Sequence, residues 1–265
     1  MRPIFAPLAV VLLAVTACSI PPPPAVESDQ ELRVEVIEVL PHDRTSFTQG
    51  LELADGVLYE GTGREGQSKM LAIDPDTGAV QHAQALPPDL FGEGITVVGD
   101  TIWQLTWQDG VAIRRDRATL AERDRVNYDG EGWGLCHDRA SAGTRLVMSD
   151  GTDELTFRDP ATFAERGRVA VRTAGGDPVP ELNELECVDG VVYANVWRTD
   201  QIVRIDPDSG RVTATVDLAG LLTDDDRAGT DVLNGIAAIP GTDEFLVTGK
   251  LWPKMFRVRF ATAST

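Results

Sequence analysis

The chain has 265 residues and a formal net charge of −18, from 42 acidic residues against 24 lysines and arginines. So acidic a surface disfavours binding to nucleic acid and to anionic membranes. With only three cysteines and three histidines, and no spacing of them typical of zinc ligands, a histidine-based metal centre has little material.

The first 17 residues resemble a targeting segment. Arg2 precedes an apolar run at residues 4–15 that is too short, and wrongly flanked, to span a membrane as a helix. The run ends in Val-Thr-Ala before Cys18, as in a bacterial lipobox. This predicts a lipoprotein-type signal peptide at 1–17 and lipidation of Cys18; an ordinary secretory peptide with a chance cysteine is the alternative.

Residues 18–30 are rich in proline and are interpreted as an extended tether. We therefore expect an exported, membrane-anchored lipoprotein of the bacterial cell envelope. The folded part would then contact the membrane only through its lipid anchor, and we expect it to be a monomer.

A four-strand unit repeats along residues 31–260. Its marker is a turn rich in Asp, Ser, Thr and Gly that begins at Asp74, Asp116, Asp159 and Asp206, at spacings of 42, 43 and 47 residues. A recurrence at that period, carried by strands, predicts a β-propeller. We interpret the marked segments as turns, because a calcium loop needs more oxygen ligands at defined spacing.

The strand-like segments are short and rich in β-branched and aromatic residues. Five second strands are predicted at 57–60, 101–104, 145–148, 191–194 and 244–247. Only four outer strands follow the marked turns, and the alternating segment 31–40 supplies the missing one. We therefore predict an all-β, five-bladed β-propeller over 31–260, with the N-terminal strand completing the last blade. A tail is expected at 261–265.

Two cysteines fall near the first strands of the third and fourth units. Cys136 and Cys187 lie one position out of register with each other. Because opposite faces of adjacent blades point toward each other, one interpretation is a disulfide between blades, formed in an oxidising compartment. Two separate buried thiols are the other.

Each first strand carries one residue at an equivalent position, defined by the apolar residue that follows it. These residues are Gln49, Glu93, Trp133, Asn183 and Asn234. Because the inner strands of a propeller line its axis, we expect a ring of mostly polar side chains around one mouth of the channel.

The second strands run antiparallel to the first and end at the same mouth. They end at Trp107, Trp197 and Lys250, with Arg64 and Asp150 near the equivalent places. Singly, these side chains have structural explanations: packing between blades for tryptophan, turn capping for asparagine, a structural hydrogen bond for Glu93. Together, a carboxylate, amides, a lysine and indoles on one rim are typical of a small-ligand pocket.

Several short motifs recur in a fixed order. They are Ser46-Phe47-Thr48-Gln49-Gly50-Leu51, Phe91-Gly92-Glu93-Gly94-Ile95-Thr96, Glu131-Gly132-Trp133-Gly134-Leu135, Leu182-Asn183-Glu184-Leu185-Glu186, Asn195-Val196-Trp197, Leu233-Asn234-Gly235-Ile236-Ala237 and Thr248-Gly249-Lys250-Leu251-Trp252-Pro253. In this order, the set resembles the plant-type glutaminyl-peptide cyclotransferases (glutaminyl cyclases), which have bacterial members, over residues 36–260. That family's fold is a five-bladed propeller.

The resemblance implies cyclisation of an N-terminal Gln of peptides or proteins to pyroglutamate, with loss of ammonia. It implies that Glu93 transfers the protons. It also implies a substrate site made of Phe47, Gln49, Phe91, Trp107, Trp133, Asn183, Trp197 and Lys250.

This reaction requires the enzyme mainly to hold the substrate in a reactive conformation and to transfer protons. The ring closure is intramolecular, so aromatic walls that hold a folded substrate conformer contribute directly. One carboxylate can take a proton from the amine and return it to the leaving nitrogen. Asn183 and Lys250 are the candidate hydrogen-bond donors to the oxyanion. Gln49 is a candidate to bind the peptide backbone or the α-amine. No cofactor is required, while the channel leaves room for a structural ion.

Two other functions compete with this hypothesis. A non-catalytic propeller would bind a protein or peptide partner at the same channel mouth. A metal-dependent lactonase or quinone-dependent dehydrogenase propeller would need a ring of acidic or histidine ligands, and the ring here has only one acid, Glu93.

Overall fold

The computed structural model describes residues 29–141 and 143–262, so Cys18, the signal segment and most of the tether lie outside the described residues. The described chain is all-β, as predicted, with twenty strands and one four-residue helix. Among these residues, no helix has the length and apolar character needed to cross a bilayer.

Every predicted strand overlaps an observed one. In chain order the elements are β1 (Gln30–Pro41), β2 (Thr48–Ala54), β3 (Val57–Thr62), β4 (Lys69–Ile73), β5 (Val80–Ala85), β6 (Gly92–Val98), β7 (Thr101–Thr106), β8 (Val111–Asp116), β9 (Glu122–Asn127), β10 (Leu135–Asp138), β11 (Arg145–Met148), β12 (Glu154–Arg158), β13 (Glu165–Ala170), β14 (Leu182–Val188), β15 (Val191–Val196), β16 (Gln201–Ile205), β17 (Val212–Asp217), α1 (Asp224–Arg227), β18 (Leu233–Ala238), β19 (Glu244–Gly249) and β20 (Lys254–Thr262).

The strands form three sheets of four and one sheet of eight. The four-stranded sheets are antiparallel and follow chain order: β2 to β5, β6 to β9, and β10 to β13. The eight-stranded sheet has the order β14-β15-β16-β17-β1-β20-β19-β18. Its two outer groups each repeat the consecutive antiparallel pattern of the smaller sheets, and β1 lies between them.

Strand β1 joins the two ends of the chain. It pairs antiparallel with β20 from Leu32, opposite Thr262, to Pro41, opposite Lys254, as the alternating sequence predicts. Its first residues also pair parallel with β17, from Gln30 to Arg33. This second pairing was not predicted, and it merges two strand groups into one sheet because β1 offers backbone groups on both of its edges.

The first strand of each group contacts the first strands of its neighbours in a closed circuit. β2 contacts β6, β6 contacts β10, β10 contacts β14, β14 contacts β18, and β18 contacts β2. The hydrophobic core is accordingly divided into clusters between adjacent strand groups. In one of them, Trp103 on β7 packs on Phe163 of the next sheet with ring centroids 5.0 Å apart, and its Nε1 donates to the carbonyl of Pro160 at 2.9 Å.

The Asp-marked segments are turns stabilised by their own aspartates. Oδ1 of Asp74 accepts from the backbone N–H of Thr77, that of Asp159 from Thr162, and that of Asp206 from Ser209. Such bonds are typical of Asx turns. The carboxylates are occupied within their own turns.

Cys136 on β10 and Cys187 on β14 form a disulfide, with their Cα atoms 5.4 Å apart. The bond joins the first strands of the third and fourth groups. It selects the bonded alternative over two separate thiols.

Candidate active site

One cavity of about 290 Å³ lies beside the starts of the first strands and the ends of the second strands. The structure brings together around it all nine residues that the sequence assigns to catalysis or substrate binding. They are Phe47, Gln49, Phe91, Glu93, Trp107, Trp133, Asn183, Trp197 and Lys250, and Asp231 also lines the cavity. Their chemical roles stay predictions.

Irregular strand pairing aims the ring residues at this cavity. In four of the five groups, the pairing of the first strand with the second shifts register: between Thr48 and Gly50, between Gly92 and Ile95, and at the corresponding places in β14 and β18. Ring residues lie inside each of these four irregularities. Because a bulge re-aims side chains next to it, the repeated bulge sends polar groups to one mouth.

The third group departs from this pattern. Its ring residue, Trp133, is expected on a first strand, but β10 begins at Leu135. The backbone of Gly134 lies so close to the Asn183 carbonyl that an added Cβ would stand 2.0 Å from the oxygen. Trp133 therefore sits before the strand, with its N–H bonded to the carbonyl of Ser149.

Glu93 is held by a chain of amide side chains. Nε2 of Gln49 donates to Oε1 of Glu93 at 2.8 Å, and Nδ2 of Asn234 donates to Oε1 of Gln49 at 3.2 Å. Asn234, the fifth ring residue, thus supports the site from behind the cavity lining. Among the described residues no group hydrogen-bonds to Oε2 of Glu93, which leaves this oxygen for a substrate.

Glu93 and Lys250, the two buried ionisable groups of the site, each shift the pKa of the other. Burial raises the pKa of Glu93 well above its usual value; Lys250 opposes this shift and the charge of Glu131 adds to it. Burial lowers the pKa of Lys250, while Glu93 and Asp231 act to raise it. Glu93 is therefore a stronger base than an exposed glutamate, and Lys250 gives up its proton more readily than an exposed lysine.

Aromatic rings form the walls. Phe91 contacts Phe47 edge to face at 6.2 Å and Trp107 at 5.5 Å. Trp133 and Trp197 make a second edge-to-face pair at 5.3 Å. Trp103, by contrast, belongs to a buried hydrophobic cluster.

Three cationic side chains flank the aromatic walls. The guanidinium of Arg64 lies 4.5 Å from the centroid of Phe47, and that of Arg198 lies 3.8 Å from the centroid of Trp197. Nζ of Lys250 lies 5.0 Å from the centroid of Phe47. Asp150, the other predicted rim residue, caps a local turn through Thr152.

Asn183 presents an unused amide to the cavity. It is 2 % exposed, and its Oδ1 has no hydrogen-bond partner among the residues that the structure describes. A buried amide atom without a partner costs free energy unless a ligand satisfies it. The arrangement suits a substrate that brings its own polar groups.

Two residues near the cavity were missed from the sequence. Asp231 lines the cavity from the segment before β18. Glu131 accepts hydrogen bonds from Nε1 of Trp107 and of Trp133, each at 2.9 Å. The sequence did offer a way to find Glu131. It lies two residues before a ring residue, as do the cavity residues Phe47 and Phe91.

Further carboxylates are buried along the first strands, beyond the ring. Glu52, Glu184 and Glu186 are each at most 8 % exposed. Glu184 accepts from the backbone N–H of Leu51 and of Ile236. No set of three or more His, Cys, Asp or Glu side chains in residues 29–141 and 143–262 is grouped so as to hold a metal ion.

Comparisons with known proteins identify the family to which the chain is similar. The glutamine cyclotransferase family model matches residues 9–260. A glutaminyl-peptide cyclotransferase of Arabidopsis thaliana is 38% identical over 237 residues, which cover 87% of this chain and 72% of the relative. The crystal structure of Myxococcus xanthus glutaminyl cyclase is similar with a TM-score of 0.79 and 35% identity, over 89% of this chain and 100% of that one.

Proposed function

The chain belongs to the glutamine cyclotransferase family, and on that premise we propose how its aromatic cavity carries out the reaction. The reaction converts an N-terminal glutamine of a peptide or protein to pyroglutamate and releases ammonia. The observation that carries the assignment of the site is the convergence of nine expected side chains around one cavity, among them the buried Glu93.

The aromatic walls hold the substrate in its reactive shape. An N-terminal glutamine must fold back so that its α-amine meets its own side-chain carbonyl carbon. The rings of Phe47, Phe91 and the three cavity tryptophans enclose the methylene groups of that folded conformer. Since the attack is intramolecular, holding this conformer is itself a large part of catalysis.

Glu93 moves the proton. In its ionised form, Oε2 accepts a proton from the α-amine as nitrogen attacks the carbonyl carbon. The same carboxyl then donates that proton to the departing nitrogen, which leaves as ammonia when the carbon–nitrogen bond breaks. The raised pKa of Glu93 suits both halves of this task, because an ideal shuttle has a pKa near the working pH.

Asn183 and Lys250 stabilise the tetrahedral intermediate. Its oxygen gains negative charge, and donors already aimed at that oxygen are worth most in a cavity with little water. Asn183 donates to this oxygen through Nδ2, while the unpartnered Oδ1 of the same amide accepts from an N–H of the substrate, and Lys250 is the only lysine lining the described cavity. Gln49 is already bonded to Glu93, so we assign it to orienting the carboxylate.

Ammonia release from a Gln-initiated dipeptide tests this function. We expect the purified chain to release one ammonia per pyroglutamate formed. The same dipeptide with an acetylated α-amine should release none, because it has no nucleophile. Absence of ammonia from the free dipeptide, with a folded protein, would favour the alternative of a non-catalytic domain that binds a peptide partner at this cavity.

We propose that the fold is a five-bladed β-propeller. Three blades would be the four-stranded sheets. The other two would be the halves of the eight-stranded sheet, β14 to β17 and β18 to β20 with β1, joined where β1 meets β17. The closed circuit of contacts among the five first strands supports this division.

We further propose that the protein is an exported monomeric lipoprotein and that its reaction needs no cofactor. The lipobox at Cys18 supports the anchor, and the disulfide supports an oxidising compartment. Proton transfer through one carboxylate needs no electron or group carrier. Mass spectrometry of the mature N-terminus would detect the lipid, and unchanged turnover after dialysis against EDTA is expected.

A further inference from the structure

The rings of the cavity wall fall into two contact groups, and Glu131 lies between them. One group ends at Trp107, which contacts Phe91. The other is the pair of Trp133 and Trp197. A single oxygen, Oε2 of Glu131, accepts from Nε1 of Trp107 and from Nε1 of Trp133, both at 2.9 Å.

The second oxygen of Glu131 is also occupied. Oε1 accepts from Nε2 of Gln108 at 2.9 Å. Three donors therefore fix one carboxylate, and hydrogen bonds to an ionised acceptor are stronger than neutral ones. Trp107 is 37% exposed, so packing alone holds its indole weakly.

We propose that Glu131 is a positioning residue that holds the indoles of Trp107 and Trp133 where they shape the cavity for the substrate. The inference rests on the function proposed above. Without this acceptor the exposed indole of Trp107 gains rotational freedom, and the wall no longer selects the folded substrate conformer. Support of this kind is what keeps a binding geometry accurate.

Glu131 also acts on Glu93 through its charge. Burial works to raise the pKa of Glu131, but the hydrogen bonds from Trp133, Gln108 and Trp107 prevail and lower it. Glu131 is therefore ionised at neutral pH, and its charge adds to the raised pKa of Glu93. A residue that merely stabilised the fold would not move the titration of Glu93.

Two substitutions separate geometry from charge. Glu131→Gln removes the charge and leaves only one acceptor oxygen. We expect KM for a Gln-initiated dipeptide to rise about tenfold, as for loss of a hydrogen bond to a charged group, and the acidic limb of the kcat profile to move to lower pH. Glu131→Asp keeps the charge on a shorter side chain, so KM should rise while the limb stays in place.

A matched control and a readout without substrate complete the test. Glu165→Gln removes the charge of an exposed glutamate paired with Arg168, and should leave KM and the limb unchanged. In Glu131→Gln the tryptophan emission should shift to longer wavelength, because the indole of Trp107 is no longer fixed.

Each outcome decides the inference. A Glu131→Gln variant with the KM and limb of the wild type, or with changes equal to those of Glu165→Gln, would overturn it. A wild-type protein that released no ammonia would instead overturn the proposed function, and the emission shift would still report whether Glu131 holds the indoles.

Discussion

Glu93 is a carboxyl group in a place that disfavours its charge. It is 4 % exposed, and within residues 29–141 and 143–262 only Gln49 donates a hydrogen bond to its side chain. Burial of this kind stabilises the protonated form, so the group is a stronger base than an exposed glutamate. Its free oxygen and its raised pKa together suit it to exchange a proton with a substrate.

The first prediction concerns Glu93 itself. Glu93→Gln removes the base but keeps an amide of the same shape, so the fold should be retained. We expect kcat to fall by at least ~10²–10⁴-fold, the usual contribution of a positioned proton carrier. Ammonia release measures the loss, and circular dichroism checks the fold.

The control is Glu122→Gln, on an exposed glutamate of β9 paired with Arg125. It should have wild-type turnover. Near-normal ammonia release from Glu93→Gln would refute the shuttle.

The second prediction is the pH dependence of turnover. Glu93 works as a base only when ionised, so activity should be lost as pH falls through its raised pKa, well above the usual 4.5. The charge of Lys250 holds that pKa down. In Lys250→Met the acidic limb of the residual activity should therefore move to higher pH.

The pH profiles of the wild type and of Lys250→Met are compared on the same substrate. The titration of the substrate amine then affects both profiles equally and does not contribute to their difference. Lys254→Met is the matched control, because Lys254 pairs with Asp226 away from the cavity. A limb that stays in place in Lys250→Met would contradict the coupling of Lys250 to Glu93.

At the scale of elements, the first strands are tied together by side chains as well as by neighbouring backbones. Glu184 on β14 accepts from the N–H of Leu51 on β2 at 3.2 Å and of Ile236 on β18 at 2.8 Å. Its burial raises its pKa well above normal, and the two N–H groups partly oppose that shift. One carboxyl thus fixes three first strands at once.

The third prediction follows from this tie. Glu184→Ala leaves two buried N–H groups without an acceptor, each of which costs about 1–3 kcal/mol. We expect the free energy of unfolding, measured by urea titration, to fall by a corresponding amount, and the urea midpoint to fall with it. Glu165→Ala, at an exposed glutamate of β13, should change little. Equal midpoints for Glu184→Ala and the wild type would show that the tie contributes nothing.

At the scale of the whole molecule, the chain is closed in two ways. β1 pairs with β20 and β17, so the first described strand lies against the last. The disulfide joins β10 to β14 across a sequence separation of 51 residues. Both links join segments far apart in sequence, but only the disulfide, being covalent, also restricts the unfolded chain.

The fourth prediction is the contribution of the disulfide. A loop of this length is worth about 4 kcal/mol in the chain-entropy model, and measured values are about 2–5 kcal/mol. Replacing Cys136 and Cys187 together by alanine should lower the free energy of unfolding by that amount. Turnover at 25 °C should persist, since neither residue lines the cavity.

Reduction of the wild type gives an independent check. With dithiothreitol its urea midpoint should approach that of the double variant. A double variant as stable as the oxidised wild type would show that the bond does not stabilise the fold.

Some of this organisation was readable from local sequence. Alternation of apolar and polar residues, and Asp-rich turns at a near-constant period, depend only on neighbouring residues, and they predicted the strands well. The ring position on four of the five first strands followed from register alone. It located Glu93 and Asn183 correctly beside one cavity before any contact was known.

Other features depend on where segments far apart in sequence meet. Three such features could not be predicted: the hydrogen bonds from two indoles to Glu131, the position of Asp231 beside the cavity, and the pairing of β1 with β17. Contacts between distant segments leave no periodic pattern in the sequence. Local sequence was therefore enough to predict the strands, their repeat and the residues that line one cavity. Local sequence was not enough to predict which carboxyl groups are buried and which atoms they bond, because burial and hydrogen-bond partners arise only when distant segments pack together.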